Sequence, residues 1–187
     1  MPALESSIFN AMKCDHTQYS NFVETGTFLG ETIYSVEPLF KKLYTIEVKE
    51  EFYRNHVDSY KGDKIKFYLG DSGKVLGDII PEISGKTIFF LDGHYSAGIT
   101  GTAEKHVPLY EELNHIMTLF KDEAVIIVDD LTMFGRGPNT TGTTCDWEDI
   151  SIKGVVDLVT PRLTDRYTLP SSQAKNDRLI LHLKALD

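Results

Sequence analysis

Short apolar runs alternate along the chain with longer stretches whose apolar residues recur every three or four positions. A first strand is expected over Asn21–Glu24, ending at Gly26, with a helix from about Glu31 to Phe40. Leu43–Glu47 reads as a second strand, Lys49–Tyr60 as a second helix and Ile65–Leu69 as a third strand closed by Gly70-Asp71. Ser72 is placed to cap a helix running to Ile80, which Pro81 then stops. Two runs, TIFFL at Thr87–Leu91 and AVIIV at Ala124–Val128, have no polar side at all. They predict strands covered on both faces. Between them, Val107–Phe120 places Leu109, Leu113, Ile116, Met117 and Phe120 on one side of a helix. A polar loop follows from Gly135 to Cys145, then a helix over Trp147–Leu158 and strands over Arg166–Leu169 and Arg178–Lys184.

Five strand-then-helix units in succession predict an α/β fold, a mostly parallel sheet with helices on both faces. Its crossovers should be right-handed. The last two strands have no long helix between them, so they are expected as a hairpin at one edge. Ligands on such sheets sit outside the carboxyl ends of the strands, near the point where strand order reverses.

Composition narrows the partners. Acidic residues outnumber basic ones 28 to 19, for a formal charge of −9. Such a surface repels phosphate backbones, so no nucleic-acid partner is expected. The 41% hydrophobic and 11% aromatic content is enough for a full core, so global disorder is not expected. Cys14 and Cys145 are too few and too far apart for a disulfide framework or a thiolate metal site. No secretory signal pattern opens the chain, and no apolar stretch approaches the ~20 residues of a membrane span. A single domain over 1–187, soluble and cytoplasmic, is the expectation.

The chemistry-bearing residues fall at strand ends. The first reads Glu24-Thr25-Gly26-Thr27-Phe28-Leu29-Gly30. Glycines let a backbone turn sharply or approach a ligand, so this is either a nucleotide-type cradle or a tight strand-to-helix turn. Glu47 ends the second strand, 23 residues after Glu24. It can accept both hydroxyls of a ribose or cap the next helix. Asp71 can accept from an adenine amino group or serve as an N-cap. The sharpest features are Asp92, after TIFFL, and Asp129-Asp130, after AVIIV. Three carboxylates leaving two buried strands are costly without a cation, and a hard divalent ion with oxygen ligands would supply one. Alternatively one caps a helix and another pairs with Arg136 or a lysine. His94 lies two residues past Asp92; it can act as a base near neutral pH, as a metal ligand, as a hydrogen-bonding group for substrate, or as a bystander.

The set VETGTFLGET, YTIEV, LGDS, FFLDGHYS and IIVDDL, from Asn21 to Asp130 in order, resembles class I S-adenosylmethionine-dependent methyltransferases. Within them it is similar to the metal-dependent sugar O-methyltransferases, such as the macrocin and novobiocin-pathway enzymes, and to the small methyltransferases that decorate glycans of large chlorella viruses. The resemblance implies a Rossmann-like, mostly parallel seven-stranded sheet with an antiparallel edge strand supplied by the RLILHLK tail. It implies that Glu24, Thr25, Gly26, Thr27 and Gly30 hold the methionine part of the cofactor, Glu47 the ribose, and Asp71 and Ser72 the adenine, with Asp92 beside it. Asp92, Asp129 and Asp130 would be the carboxylates of a divalent metal, Mg²⁺ by its ligand type, and His94 with Asp92 the catalytic pair. The first loop departs from the family's denser glycine run.

The implied reaction is methyl transfer from S-adenosylmethionine to a sugar hydroxyl, for instance of a deoxysugar such as rhamnose in a glycan. The expected partner is therefore a sugar or glycan acceptor; a homodimer is left open, and a viral chain would work in the host cytoplasm. Tyr95, Phe134 and Trp147 either stack on the sugar or pack. The rivals are an acceptor of catechol-like or other small hydroxylated type, and a non-catalytic cofactor-binding module of a larger glycan-synthesis protein. A nicotinamide-dependent oxidoreductase shares the sheet but lacks the Gly-x-Gly-x-x-Gly loop and leaves the aspartates unexplained.

Overall fold

A computed structural model describes residues 4–5, 7–94, 105–138 and 145–186. Seven strands form one sheet in the order β3-β2-β1-β4-β5-β7-β6. They are β1 Asn21–Thr25, β2 Lys42–Glu47, β3 Ile65–Leu69, β4 Thr87–Leu91, β5 Ala124–Val128, β6 Leu163–Leu169 and β7 Arg178–Leu183. The first five pair in parallel, and β7 runs antiparallel between β5 and β6. This is the doubly wound sheet that the alternating pattern predicts.

Side-chain alternation divides the core in two. Phe22, Ile88, Phe90, Val125 and Ile127 feed one apolar cluster, and Val23, Phe89, Leu91, Ile126 and Val128 feed the other. Every residue of β1, β4 and β5 is buried. That explains why TIFFL and AVIIV show no polar side: successive residues point to opposite faces, and both faces are covered. Among the described residues six helices do the covering: α1 Ile8–Ala11, α2 Glu31–Val36, α3 Glu50–Ser59, α4 Ser72–Ile79, α5 Leu109–Leu119 and α6 Ile152–Val159. No described helix is long and apolar enough to cross a membrane.

The differences from the expected elements are local and have causes. The helix expected to reach Phe40 ends at Val36, and Glu37–Leu39 tightens into a 3₁₀ turn at Pro38, where proline has no N–H for the helix ladder. Asp71, not Ser72, caps α4, accepting from the Gly73 N–H. The helix expected from Trp147 begins at Ile152 because Ser151 caps it, accepting from Gly154. The short α1 had no visible periodicity, yet Ile8 and Phe9 are buried. In the antiparallel pair at the edge, β6 is outermost and largely solvent-facing, while the apolar β7, the RLILHLK segment, is buried inside it against β5.

Candidate functional site

Strand order reverses between β1 and β4, which lead to β2 on one side and β5 on the other. The ends of β1, β2, β4 and β5 meet there, and each contributes an acid. The loop after β1 is held from beneath. Gly26 and Thr27 both donate their N–H groups to the Ile46 carbonyl, at 2.9 and 3.3 Å. Phe28 turns through a positive φ of 46°. Its N–H donates to Glu47 Oε2 at 2.7 Å, and the Lys49 N–H donates to Glu47 Oε1 at 2.8 Å. Each carboxylate oxygen retains a second lone pair for a hydroxyl hydrogen. His56 of α3 completes the support, with Nε2 at 2.7 Å from the Phe28 carbonyl and Nδ1 at 3.0 Å from the Tyr34 hydroxyl. In the sequence it was one histidine among six; buried and aimed at the loop, it fixes the loop's shape.

Gly26 is required by the fold. A Cβ there would lie 2.5 Å from the Asp92 carbonyl oxygen, and its φ is +86°. The first loop and the end of β4 therefore abut backbone to backbone. Thr25 Oγ1 strengthens the seam by accepting from the Asp92 N–H at 3.2 Å. Glu24 is 1% exposed. Its Oε2 accepts from the Thr45 hydroxyl at 2.8 Å, which in turn is 2.5 Å from the Thr27 hydroxyl.

Asp71 and Ser72 are committed to structure as well. Asp71 Oδ1 accepts from the Gly73 N–H at 2.9 Å. Ser72 Oγ donates to Glu112 Oε1 at 2.6 Å. Glu112, on α5, is a buried acid that helical periodicity hid on the apolar side of its helix.

The three aspartates are not equivalent. His94 bridges two of them: Nε2 is 2.9 Å from Asp130 Oδ2, and Nδ1 is 3.4 Å from Asp92 Oδ1. The second approach lacks hydrogen-bond alignment, so Asp92 Oδ1 is buried without a hydrogen bond among the described residues. Asp129 turns the other way. Its Oδ1 accepts from Arg178 Nε at 3.2 Å and from the Asp130 N–H at 3.1 Å. A carboxylate pairing was one of the alternatives in the sequence; the partner is Arg178, at the start of β7, rather than Arg136 or a lysine.

Asp177 holds the same corner. Oδ1 accepts from the Thr132 N–H and hydroxyl at 3.2 and 2.9 Å, Oδ2 from the Ser171 hydroxyl at 2.5 Å. Asp130 itself has a left-handed φ of 58°, an arrangement that persists when neighbours over-determine it. The pair Asp177-Arg178 does so. The sequence carried a faint signal, two charged residues opening an otherwise apolar strand.

Burial dominates the electrostatics. It pushes Glu24 up to about 8, opposed by the Thr45 hydroxyl and reinforced by Glu47. It pushes Glu112 up to about 7, against hydrogen bonds from Ser72 and Thr25. Asp92 stands well above the usual carboxylate range through burial and then the charges of Asp129, Asp130 and Glu24. Burial raises Asp129 to about 6 despite Arg178.

Two groups of ligand atoms lie close enough to share a cation: Asp92, His94 and Asp130, and separately Asp129, Asp130 and Asp177. The first fits a metal better. It contains the orphaned Asp92 oxygen, and a buried carboxylate oxygen without a hydrogen bond calls for a proton or a cation. In the second group Arg178 and three hydrogens already compensate the acids. Trp147 packs edge-on against His94, ring centroids 4.8 Å apart, and stacks with Phe134 at 5.5 Å. Its buried indole N–H has no acceptor among the described residues. Tyr95 lies outside the described residues.

The architecture is the Rossmann-like class I methyltransferase fold. Solved structures sharing it include the O-methyltransferase TomG from Streptomyces achromogenes, involved in tomaymycin synthesis and determined with S-adenosylmethionine. It is 16% identical, with 91% of this chain and 75% of that one covered and a TM-score of 0.60. The N-methyltransferase NodS from Bradyrhizobium japonicum is 15% identical over 98% of this chain and 100% of its own, TM-score 0.55. A methyltransferase dependent on S-adenosylmethionine from Methanosarcina mazei is 11% identical over 99% and 100%, TM-score 0.56. No protein-family model and no curated protein matches the chain.

Proposed function

We propose that this chain is an S-adenosylmethionine-dependent O-methyltransferase that acts on a sugar hydroxyl with the help of a divalent ion. The observation that carries the reading is the convergence at one sheet edge of the Glu24–Gly30 loop, Glu47 and the Asp92–His94–Asp130 group. Methyltransferases on this fold include both O- and N-acting proteins; the buried acids beside His94 favour an oxygen acceptor, whose proton must be removed.

In this reading Glu47 holds the ribose hydroxyls, and Glu24, behind Gly26, faces the cationic methionine end. Asp71 and Ser72 border the adenine through their backbone, since their side chains cap α4 and bind Glu112. Bound S-adenosylmethionine supplies a methyl group on a sulfonium sulfur. Asp92 and Asp130 would hold the ion, whose charge would make a nearby acceptor hydroxyl more acidic. Asp129, kept in place by Arg178, sets the field around them. His94, oriented by Nε2–H donation to Asp130, offers Nδ1 to the acceptor proton. The chain's main contribution is alignment of acceptor oxygen, methyl and sulfur.

The test has two arms. Thermal stabilisation by S-adenosylhomocysteine but not by NAD is expected, and equal stabilisation by NAD would return the oxidoreductase to first place. Transfer of labelled methyl to glycosides should stop in excess chelator and resume with added Mg²⁺. Full activity in chelator removes the ion, and cofactor binding without transfer to any glycoside or catechol points to a non-catalytic module.

A further inference from the structure

A cavity of about 610 Å³ opens at the carboxyl edge of the sheet, between the segment around α1, the start of α2 and the turn from β6 to β7. Arg178 lines it and also bonds Asp129, so the cavity borders the candidate site. We propose that it is the acceptor subsite and that it takes a neutral polyhydroxylated ligand, a saccharide, while rejecting anionic ones. The inference rests on the methyltransferase reading for what happens to the ligand, not for its binding.

Charge and polarity argue for that class. The charged side chains on the wall are Glu5, Glu31 and Arg178. The guanidinium is already paired with Asp129 inside the protein, which leaves two carboxylates to meet whatever enters. A phosphate, sulfate or uronate would face like charge with no other cation among the described wall residues, and such juxtaposition costs affinity. Carboxylates and serine hydroxyls, however, accept from sugar hydroxyls, and Ser7 and Ser172 add to the polar wall. Ser171 is spent within the turn, donating to Asp177 and accepting from the Gln173 N–H. Ile8, Ala11, Leu169 and Pro170 give an apolar side, suited to the C–H face of a pyranose. The volume lies in the ordinary range for small-ligand pockets, roughly 300–1,000 Å³, large enough for more than one sugar ring.

Glycoside binding is measured directly by calorimetry with methyl α-rhamnoside, methyl glucoside and a neutral disaccharide, each against glucuronate and glucose 6-phosphate. S-adenosylhomocysteine binding is recorded on the same samples. The neutral glycosides should bind and the anionic ones should not. Ser172→Trp, on the exposed turn, and Ala11→Trp should each weaken neutral glycoside binding at least about tenfold with cofactor binding unchanged. Glu31→Lys should admit the anionic glycosides. Preference for anionic ligands in the wild type, binding of no neutral glycoside, or tryptophan variants with unaltered affinity overturns the proposal. Loss of S-adenosylhomocysteine binding alone, with glycoside binding intact, strikes the methyltransferase reading and leaves this one standing.

Discussion

Glu24 offers a quantitative handle on the cofactor. It is fully buried and pushed up to about 8, so below that pH the free protein holds it protonated. A ligand carrying an α-ammonium favours the carboxylate, and binding must then expel the proton. Each pH unit below 8 costs about 1.4 kcal/mol of affinity. Between pH 8 and pH 6 the affinity for S-adenosylhomocysteine should therefore fall by up to roughly a hundredfold. Calorimetry in two buffers of different ionisation enthalpy reads both the affinity and the number of protons released, close to one at pH 6. Glu24→Gln keeps the oxygen that accepts from Thr45 at 2.8 Å but cannot ionise; its binding should be weaker at pH 8 and nearly independent of pH. A flat wild-type profile, or a slope that persists in Glu24→Gln, would refute the assignment of this carboxyl to the cationic end of the cofactor.

Two other substitutions separate scaffold from chemistry. Gly26→Ala sets a Cβ against the Asp92 carbonyl at 2.5 Å and strains a φ of +86°, so a loss of about 2 kcal/mol or more is expected in urea unfolding, with or without cofactor. Arg178→Met leaves Asp129 buried without its cation; about 3–5 kcal/mol should be lost, and Asp129→Asn in the same chain should recover much of it, as chemical denaturation of the double variant will show.

The sheet was readable because burial on both faces writes itself as unbroken apolar runs: TIFFL and AVIIV coincide with β4 and β5 to the residue. Acids at the ends of such runs were equally plain. What a linear reading could not supply was direction. Asp129 and Asp130 are neighbours, yet one turns to Arg178 and the other to His94, a separation produced by the left-handed turn at Asp130. Aspartate tolerates a left-handed backbone better than most residues, but nothing local demands it; the segment just after Asp130 is held by Asp177, 47 positions away in sequence and adjacent because β7 inserts beside β5. Glu112 stayed hidden for the opposite reason: on a helix, one acid among apolar positions looks solvated, and only tertiary packing buries it against Ser72. Pairwise contacts of that kind are decided after the elements form.

The buried acids also make the sheet edge sensitive to pH in a direction opposite to that of most carboxylates. Glu24 and Glu112 have folded values of about 8 and about 7 against an ordinary 4.5. Each binds its proton more tightly in the folded state, so its contribution to stability is complete below pH 4.5 and is lost as the pH rises towards 7–8. The loss is on the order of 3–5 kcal/mol per group, a large share of a domain's total. Thermal unfolding without ligands should consequently show a lower Tm at pH 8 than at pH 6, and Glu112→Gln, which preserves the acceptor for Ser72, should shrink the difference while Glu24 keeps the larger part of it. A wild-type Tm that holds or rises across that interval defeats the reasoning. A fold that served only itself would gain from neutral amides at both positions. Carboxylates that destabilise the free protein near neutral pH make sense where a cation arrives to meet them, and at Glu24 the proposed cofactor brings one.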